Sequence, residues 1–142
     1  AARQGIPFRL PAAHPFNSLP YLRLAIAAGC STAAVRRIFD ALWTTGADPA
    51  DVRLVAELAR SLAIDPAELS RQEVKDALRS ATDRAIARGV FGVPTLAVGD
   101  ELFWGADSTD FVKDYLVDPG ILGSTEMPRL TTLPVGVSRI PG

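Results

Sequence analysis

The sequence has few residues of the kinds that build redox and metal sites. Cys30 is its only cysteine and His14 its only histidine. One cysteine cannot form an internal disulfide, a CxxC redox pair or a cysteine-based zinc site, and one histidine excludes a histidine-rich metal site within this chain. Because Cys30 follows Gly29 at the end of an apolar run, we predict a small buried apolar side chain there, not a reactive thiol.

An excess of charge of one sign is also missing. The formal net charge is -1, and no segment concentrates lysine or arginine, so neither nucleic acid nor an anionic membrane is predicted as a partner. No apolar run is long enough to cross a bilayer, and the proline-rich residues 1–20 do not have the pattern of a signal peptide. We therefore expect a cytoplasmic location.

Residues 19–88 have the apolar spacing of helices, with interruptions at residues that cap or end them. We predict four helices and one short helical turn in this all-helical part. The residues that mark their starts and ends are, in chain order, Gly29, Ser31, Gly46, Asp48–Pro49, Asp65–Pro66, the capping-box pair Ser70 and Glu73, and Gly89.

Beyond the helices the apolar period becomes that of strands. Thr95 to Val98 and Glu101 to Trp104 flank Gly99–Asp100, which is the signature of a β-hairpin. Asp107 is predicted to be the N-cap of a last helix. The remaining segment, 118–142, is rich in proline, glycine and threonine, and we interpret it as a C-terminal tail.

One hairpin is too little sheet for a chain with five helices, because an isolated two-stranded hairpin is marginally stable in water. We therefore expect further strands upstream of Ala1 and interpret the chain as a fragment of a longer protein. The hairpin edge is expected to be unpaired in the fragment, which favours pairing with another chain.

The hairpin carries the most informative motif. From Val90 to Asp107 the sequence reads VFGVPTLAVGDELFWGAD, and the chain also has GIPF at residues 5–8 and PFNS at residues 15–18. Over residues 1 to about 116 it resembles the 2-hydroxychromene-2-carboxylate isomerase family, in the DsbA-like branch of the thioredoxin superfamily and close to kappa-class glutathione transferases.

The resemblance implies an α/β, thioredoxin-like fold with an all-helical insert, here lacking the N-terminal β-α-β part. It divides the chain into a leading segment with a substrate-side loop (1–18), a helical insert (19–88), the C-terminal half of the thioredoxin-like domain (89–117) and the tail (118–142).

The resemblance also implies a binding site for glutathione. Val93–Pro94 is expected to be a cis bond whose bend leaves the Val93 backbone free to hold the cysteinyl backbone of glutathione as an added strand. In the turn from Trp104 to Asp107, the amides of Ala106 and Asp107 are implied to hold the γ-glutamyl carboxylate, and the Asp107 side chain its ammonium. Gly105 lets the backbone approach closely. The alternatives are a proline that only starts a strand and an Asp107 that only caps its helix.

The loop before the helices is the substrate side in this family, and His14 and Asn17 are the candidate substrate contacts. A solvated surface histidine and a helix-capping Asn17 are the alternatives. Trp43 and Trp104 are predicted core residues, with Trp104 also covering the edge of the ligand.

The activity implied is a glutathione-dependent cis/trans isomerisation of aromatic or conjugated small molecules, by reversible thiolate addition, in bacterial aromatic catabolism. The serine that stabilises the thiolate in this family is expected upstream of Ala1, so the chain alone is expected to be inactive. A homodimer is compatible with the resemblance. The alternatives are a kappa-class-like glutathione transferase, a DsbA-like disulfide oxidoreductase and a truncated, non-catalytic binding module.

Overall fold

A computed structural model of the protein describes residues 5–123, and the chain divides into two compact units between Ala85 and Ile86. The helices are α1 (Leu19–Ala27), α2 (Thr32–Trp43), α3 (Val52–Ser61), α4 (Gln72–Ala87) and α5 (Thr109–Val117). The strands are β1 (Thr95–Val98) and β2 (Glu101–Trp104), and 3₁₀ turns occupy Pro66–Ser70, Ala106–Ser108 and Pro119–Gly123. Most of the predicted tail, from residue 124 onward, lies outside the described residues.

The first helix ends, and the second begins, as the sequence predicts, whereas α2 ends at Trp43, before the predicted stop at Gly46. Gly29 follows α1 with a φ of +65°, a conformation that glycine adopts without a steric penalty. Ser31 is the N-cap of α2, and its side-chain oxygen accepts a hydrogen bond from the amide of Ala34 at 3.3 Å.

The predicted start of α3 at Asp48–Pro49 is wrong by one turn. Asp51 is the N-cap, and its side chain accepts a hydrogen bond from the amide of Arg53 at 2.9 Å. Asp48 instead accepts from the amide of Ala50 within a turn, at 2.9 Å. Pro49 is buried in that turn and its carbonyl accepts a hydrogen bond from the Tyr21 hydroxyl at 2.9 Å, a contact that holds Pro49 outside the helix.

The predicted capping box at the start of α4 is also wrong, by a single residue. Asp65 caps the expected short helical turn through the amide of Ala67 at 2.9 Å, and Ser70 is the last residue of that turn. Arg71 then takes an extended conformation (φ -64°, ψ 145°), and α4 begins at the next residue. Leu69 is buried, which keeps Ser70 in the turn and out of the N-cap position.

The first unit has a core that α1, α2, α3 and the first 3₁₀ turn build together. Its buried side chains are Tyr21, Leu24, Ile38, Leu42, Leu58, Ala59, Ile64 and Leu69. Trp43 is partly buried against this core, in agreement with its prediction. Cys30 is exposed, so the prediction of a buried thiol is wrong: it lies with Gly29 in the tight link to α2 and has a φ of +51°.

The second unit contains the predicted hairpin. β1 and β2 pair antiparallel, with Thr95 opposite Trp104 and Val98 opposite Glu101, and Gly99 turns the chain with a φ of +58°. Within residues 5–123 the sheet has these two strands. Phe103 and Val112 are buried, and the Phe103 ring lies 5.9 Å from Phe111 and 5.2 Å from Tyr115, which packs β2 on α5.

Candidate functional site

The Val93–Pro94 step lies directly before β1 and presents a free stretch of backbone. The peptide bond is cis, and the Pro94 carbonyl accepts a hydrogen bond from the Gly105 amide at 2.9 Å. The Thr95 hydroxyl donates to the Gly92 carbonyl at 2.6 Å. In the described part of the chain, neither the N–H nor the C=O of Val93 has a hydrogen-bond partner, and its side chain is exposed. This backbone therefore has one donor and one acceptor available to an extended ligand.

An aromatic pair lies beside this step. Trp104 is 56% exposed, so its prediction as a core residue is wrong: successive side chains of a strand point to opposite faces, and Phe103 takes the buried one. The indole lies 5.3 Å from the ring of Phe91 and covers Gly92, where an added Cβ would be 2.5 Å from the indole nitrogen. Phe91 and Gly92 are not among the predicted site residues, although both directly precede the Val93–Pro94 step.

The turn from Gly105 to Ser108 connects β2 to α5. Gly105 has φ 93° and ψ 153°, and an added Cβ there would collide with the Asp107 carboxylate. Gly105, not Asp107, is the N-cap of the 3₁₀ turn that leads into α5, so the predicted capping role of Asp107 is wrong. The reason is that the Gly105 carbonyl accepts hydrogen bonds from both the amide and the hydroxyl of Ser108, at 3.3 and 2.7 Å, which starts the turn two residues early.

This turn places backbone amides, which carry partial positive charge, next to a negatively charged carboxylate. Within residues 5–123 the amides of Ala106 and Asp107 have no hydrogen-bond acceptor, and they lie at the positive end of the turn that precedes α5. The Asp107 carboxylate is exposed beside them. Free amides attract a carboxylate and the Asp107 side chain attracts an ammonium group, so the turn suits the zwitterionic end of an amino acid.

The structure brings six predicted residues together in the second unit: Val93, Pro94, Trp104, Gly105, Ala106 and Asp107. The other two, His14 and Asn17, belong to the first unit. The exposed His14 ring packs edge-on against Trp43 at 5.6 Å and Phe16 at 6.0 Å. Asn17 accepts a hydrogen bond from the Leu19 amide at 3.1 Å, which is a capping contact at the start of α1.

Residues 5–123 contain neither a membrane-spanning helix nor a cluster of metal ligands. No helix in that range has the length and apolar character needed to cross a membrane. No group of three or more histidine, cysteine, aspartate or glutamate side chains comes together there as a metal site.

Comparisons with known proteins give a consistent set of relatives. The family model described as a DSBA-like thioredoxin domain matches residues 1–117. The chain is 37% identical over 91 residues to a 2-hydroxychromene-2-carboxylate isomerase of Sphingobium xenophagum, covering 61% of this chain and 45% of that protein. It is 36% identical over 81 residues to the isomerase of the same name from Pseudomonas putida, covering 54% of this chain and 40% of that protein. The chain thus spans less than half the length of these curated relatives.

A solved structure gives the same result for the fold. A 2-hydroxychromene-2-carboxylate isomerase (HCCA isomerase) superposes with a TM-score of 0.64 at 27% identity, covering 88% of this chain and 66% of that one.

Proposed function

Because the chain belongs to the DsbA-like thioredoxin domain family, we propose that it serves a glutathione-dependent isomerase of the 2-hydroxychromene-2-carboxylate isomerase type. The predicted family and the thioredoxin-like fold class are confirmed. Isomerases among its relatives support an enzyme that acts on a small molecule. The observation that carries the glutathione proposal is the cluster of free backbone groups on Val93, Ala106 and Asp107 beside an exposed carboxylate.

The residues of the second unit fit glutathione as a bound peptide. The N–H and C=O of Val93 would pair with the cysteinyl residue, because this backbone has no partner within the described residues. The amides of Ala106 and Asp107 would hold the γ-glutamyl carboxylate, and the Asp107 side chain its ammonium. Gly105 leaves space for the Asp107 carboxylate to lie over the turn. Trp104, exposed beside Val93, would cover one edge of the peptide.

When bound, glutathione would supply a thiol for the reversible addition to a conjugated double bond that a cis/trans isomerisation requires. The residues of this chain bind and orient the peptide that carries the thiol. None of them is assigned the stabilisation of the thiolate. His14 and Asn17 are proposed contacts for an aromatic or conjugated substrate. The exposed His14 ring supports this role, and so does the side-chain amide NH₂ of Asn17, which has no hydrogen-bond partner within the described residues.

The proposed setting is the bacterial cytoplasm, in aromatic catabolism. The four-part division of the chain, into segments 1–18, 19–88, 89–117 and 118–142, also stays a proposal. A DsbA-like disulfide oxidoreductase is the alternative that the turn from Trp104 to Asp107 does not favour, because its free amides and carboxylate suit the zwitterionic end of glutathione. A transferase would use the same glutathione site and is separated from an isomerase by the product formed.

The proposal predicts that Asp107→Asn weakens glutathione binding. A charge-assisted hydrogen bond contributes roughly 1.5 to 3 kcal/mol, so the Kd should rise about tenfold or more in isothermal titration calorimetry. Asp110→Asn is the matched control, because the Asp110 carboxylate is exposed on the next turn and already bound to Lys113 at 2.7 Å. An equal Kd for wild type and Asp107→Asn would contradict the proposed ammonium contact.

Turnover is tested with 2-hydroxychromene-2-carboxylate, the compound in the names of the relatives. We expect isomerisation to require glutathione in the protein that carries this site. A stable glutathione conjugate as the product would identify a transferase. Absence of glutathione binding by the wild-type protein would remove both functions.

A further inference from the structure

The first unit contains a groove of about 470 Å³ between the start of α1, the start of α3 and the first 3₁₀ turn. This volume is in the range of small-molecule sites. The proposed function uses only Asn17 at its rim. The apolar part of its wall consists mainly of Pro20, Pro49, Val52, Val55, Pro66 and Leu69.

Arg23, a partly buried cation, lines this groove and has no ion-pair partner within the described residues. Its Nε is buried and has no hydrogen-bond acceptor within the described residues. The ion pairs in that part of the chain are Arg36–Asp40, Arg53–Asp51 and Lys113–Asp110, and Arg23 belongs to none of them. An unpaired guanidinium can form a charge-assisted hydrogen bond with a carboxylate, so a ligand acceptor at this guanidinium would be stabilising.

The acidic side chains near Arg23 do not neutralise it. Asp51, which also lines the groove, accepts hydrogen bonds from the Arg53 amide, Nε and Nη2 at 2.9, 3.1 and 3.0 Å. Asp76 and Asp83 line a neighbouring cavity that Arg23 also borders, and neither forms an ion pair with it. The groove therefore combines an apolar wall with one positive charge that this part of the chain leaves unpaired.

The groove is held in shape by Tyr21, which is buried in α1 and donates its hydroxyl proton to the carbonyl of Pro49 at 2.9 Å. Burial, followed by the charges of Asp48 and Asp51, raises the pKa of Tyr21. A wall fixed in this way loses little conformational entropy when a ligand binds.

We propose that this groove binds an aliphatic monocarboxylate, with the carboxylate on Arg23 and the hydrocarbon chain along the proline and valine wall. The charge of Arg23 calls for an anion. The wall favours an apolar ligand body, and among residues 5–123 no aromatic side chain lines the groove to stack on a planar ring. This site does not depend on the proposed glutathione function.

The test is titration of the purified chain with octanoate, followed by calorimetry and by NMR of the valine and leucine methyl groups. We expect saturable binding with shifts confined to Val52, Val55 and Leu69, and binding of 1-octanol at least about tenfold weaker because it has no charge. Equal affinity for the alcohol would contradict the role of Arg23. Tighter binding of 2-naphthoate in the same groove would contradict the aliphatic assignment, and the absence of saturable octanoate binding would overturn the site.

Two variants separate the site from a general effect on the fold. Arg23→Gln should weaken octanoate binding about tenfold or more, whereas Arg36→Gln should not, because Arg36 is paired with Asp40 and does not line the groove. If Arg23→Gln does not fold, Val52→Asp gives the second measurement. Val52 is 80% exposed at the rim, and a new negative charge there should repel the ligand. Val117→Asp, at a valine 87% exposed in the second unit, is its control and should bind like wild type.

Discussion

Gly105 shows most directly how one residue shapes the candidate site. Its φ of 93° and ψ of 153° lie in a backbone region that is essentially restricted to glycine. The position where a Cβ would stand is taken by the Asp107 carboxylate. Gly99 also has a positive φ, +58°, but nothing lies within 4 Å of an added Cβ there. The two glycines therefore differ in both backbone region and available space.

We predict that Gly105→Ala costs more stability than Gly99→Ala. Alanine at Gly99 meets only the left-handed penalty, about 1 to 2 kcal/mol, whereas at Gly105 it also has to displace the Asp107 carboxylate. Urea unfolding of the two variants measures the difference. Glutathione binding should be lost in Gly105→Ala and kept in Gly99→Ala. Equal losses of stability would show that the turn can relax around a side chain.

At the scale of single residues, the sequence predicted which residues form the turn but not all of their roles. Asp107 has the composition of an N-cap, and only the hydrogen bonds of Ser108 to the Gly105 carbonyl show that the turn starts earlier. The strand position of Trp104 predicts a core residue. Its exposure follows from strand alternation relative to Phe103, whose buried contact with Tyr115 depends on tertiary packing.

At the scale of elements, helix caps can be tested one by one. Ser31→Ala removes the oxygen that accepts from Ala34 and should destabilise the first unit by about 0.5 to 2 kcal/mol. Ser70→Ala is the control. Because Ser70 is exposed and ends a 3₁₀ turn, the free energy of unfolding of this variant should be within about 0.5 kcal/mol of the wild-type value. Circular dichroism during urea unfolding measures both. A loss for Ser70→Ala equal to that for Ser31→Ala would mean that Ser70 supports α4 after all.

The start of α3 should make stability depend on pH in acid. The hydrogen bonds from Arg53 lower the pKa of Asp51 from its ordinary 3.8, so the contribution of Asp51 is present above that value. It is lost as the pH falls from about 4 through the lowered pKa. Asp51→Asn and Arg53→Gln should each flatten this acid decline, measured by urea unfolding between about pH 2 and 6. An acid decline as steep as that of wild type in both variants would contradict the assignment.

Helix positions were predictable because apolar spacing and capping residues are local signals. The first residue of a helix is less predictable where two nearby residues could each serve as its N-cap. Asp48 and Asp51 are chemically equivalent as caps, and the choice falls to Asp51 because Tyr21, 28 residues earlier, holds Pro49 in the turn. Such long-range contacts are not visible in the spacing of a sequence.

At the scale of the whole molecule, the two compact units have cores of different size. Eight side chains are buried in the core cluster of the first unit, with Leu24 fully inaccessible at 0% exposure. In the second unit, Phe103 and Val112 are the buried apolar residues among those described. Because burial of apolar surface is the main stabilising contribution, the larger core should protect its backbone amides more strongly.

We predict that Leu24→Ala destabilises the first unit by about 2 to 5 kcal/mol, since it removes a fully buried side chain and leaves a cavity. Leu116→Ala, at a leucine 63% exposed on α5, is the control and should change stability by no more than about 0.5 kcal/mol. Amide hydrogen exchange followed by NMR locates the effect, and faster exchange in Leu24→Ala should be found in α1, α2 and α3. Hairpin amides should keep their wild-type rates if the second unit opens independently. An equal acceleration in the hairpin would instead show that both units unfold in one cooperative step.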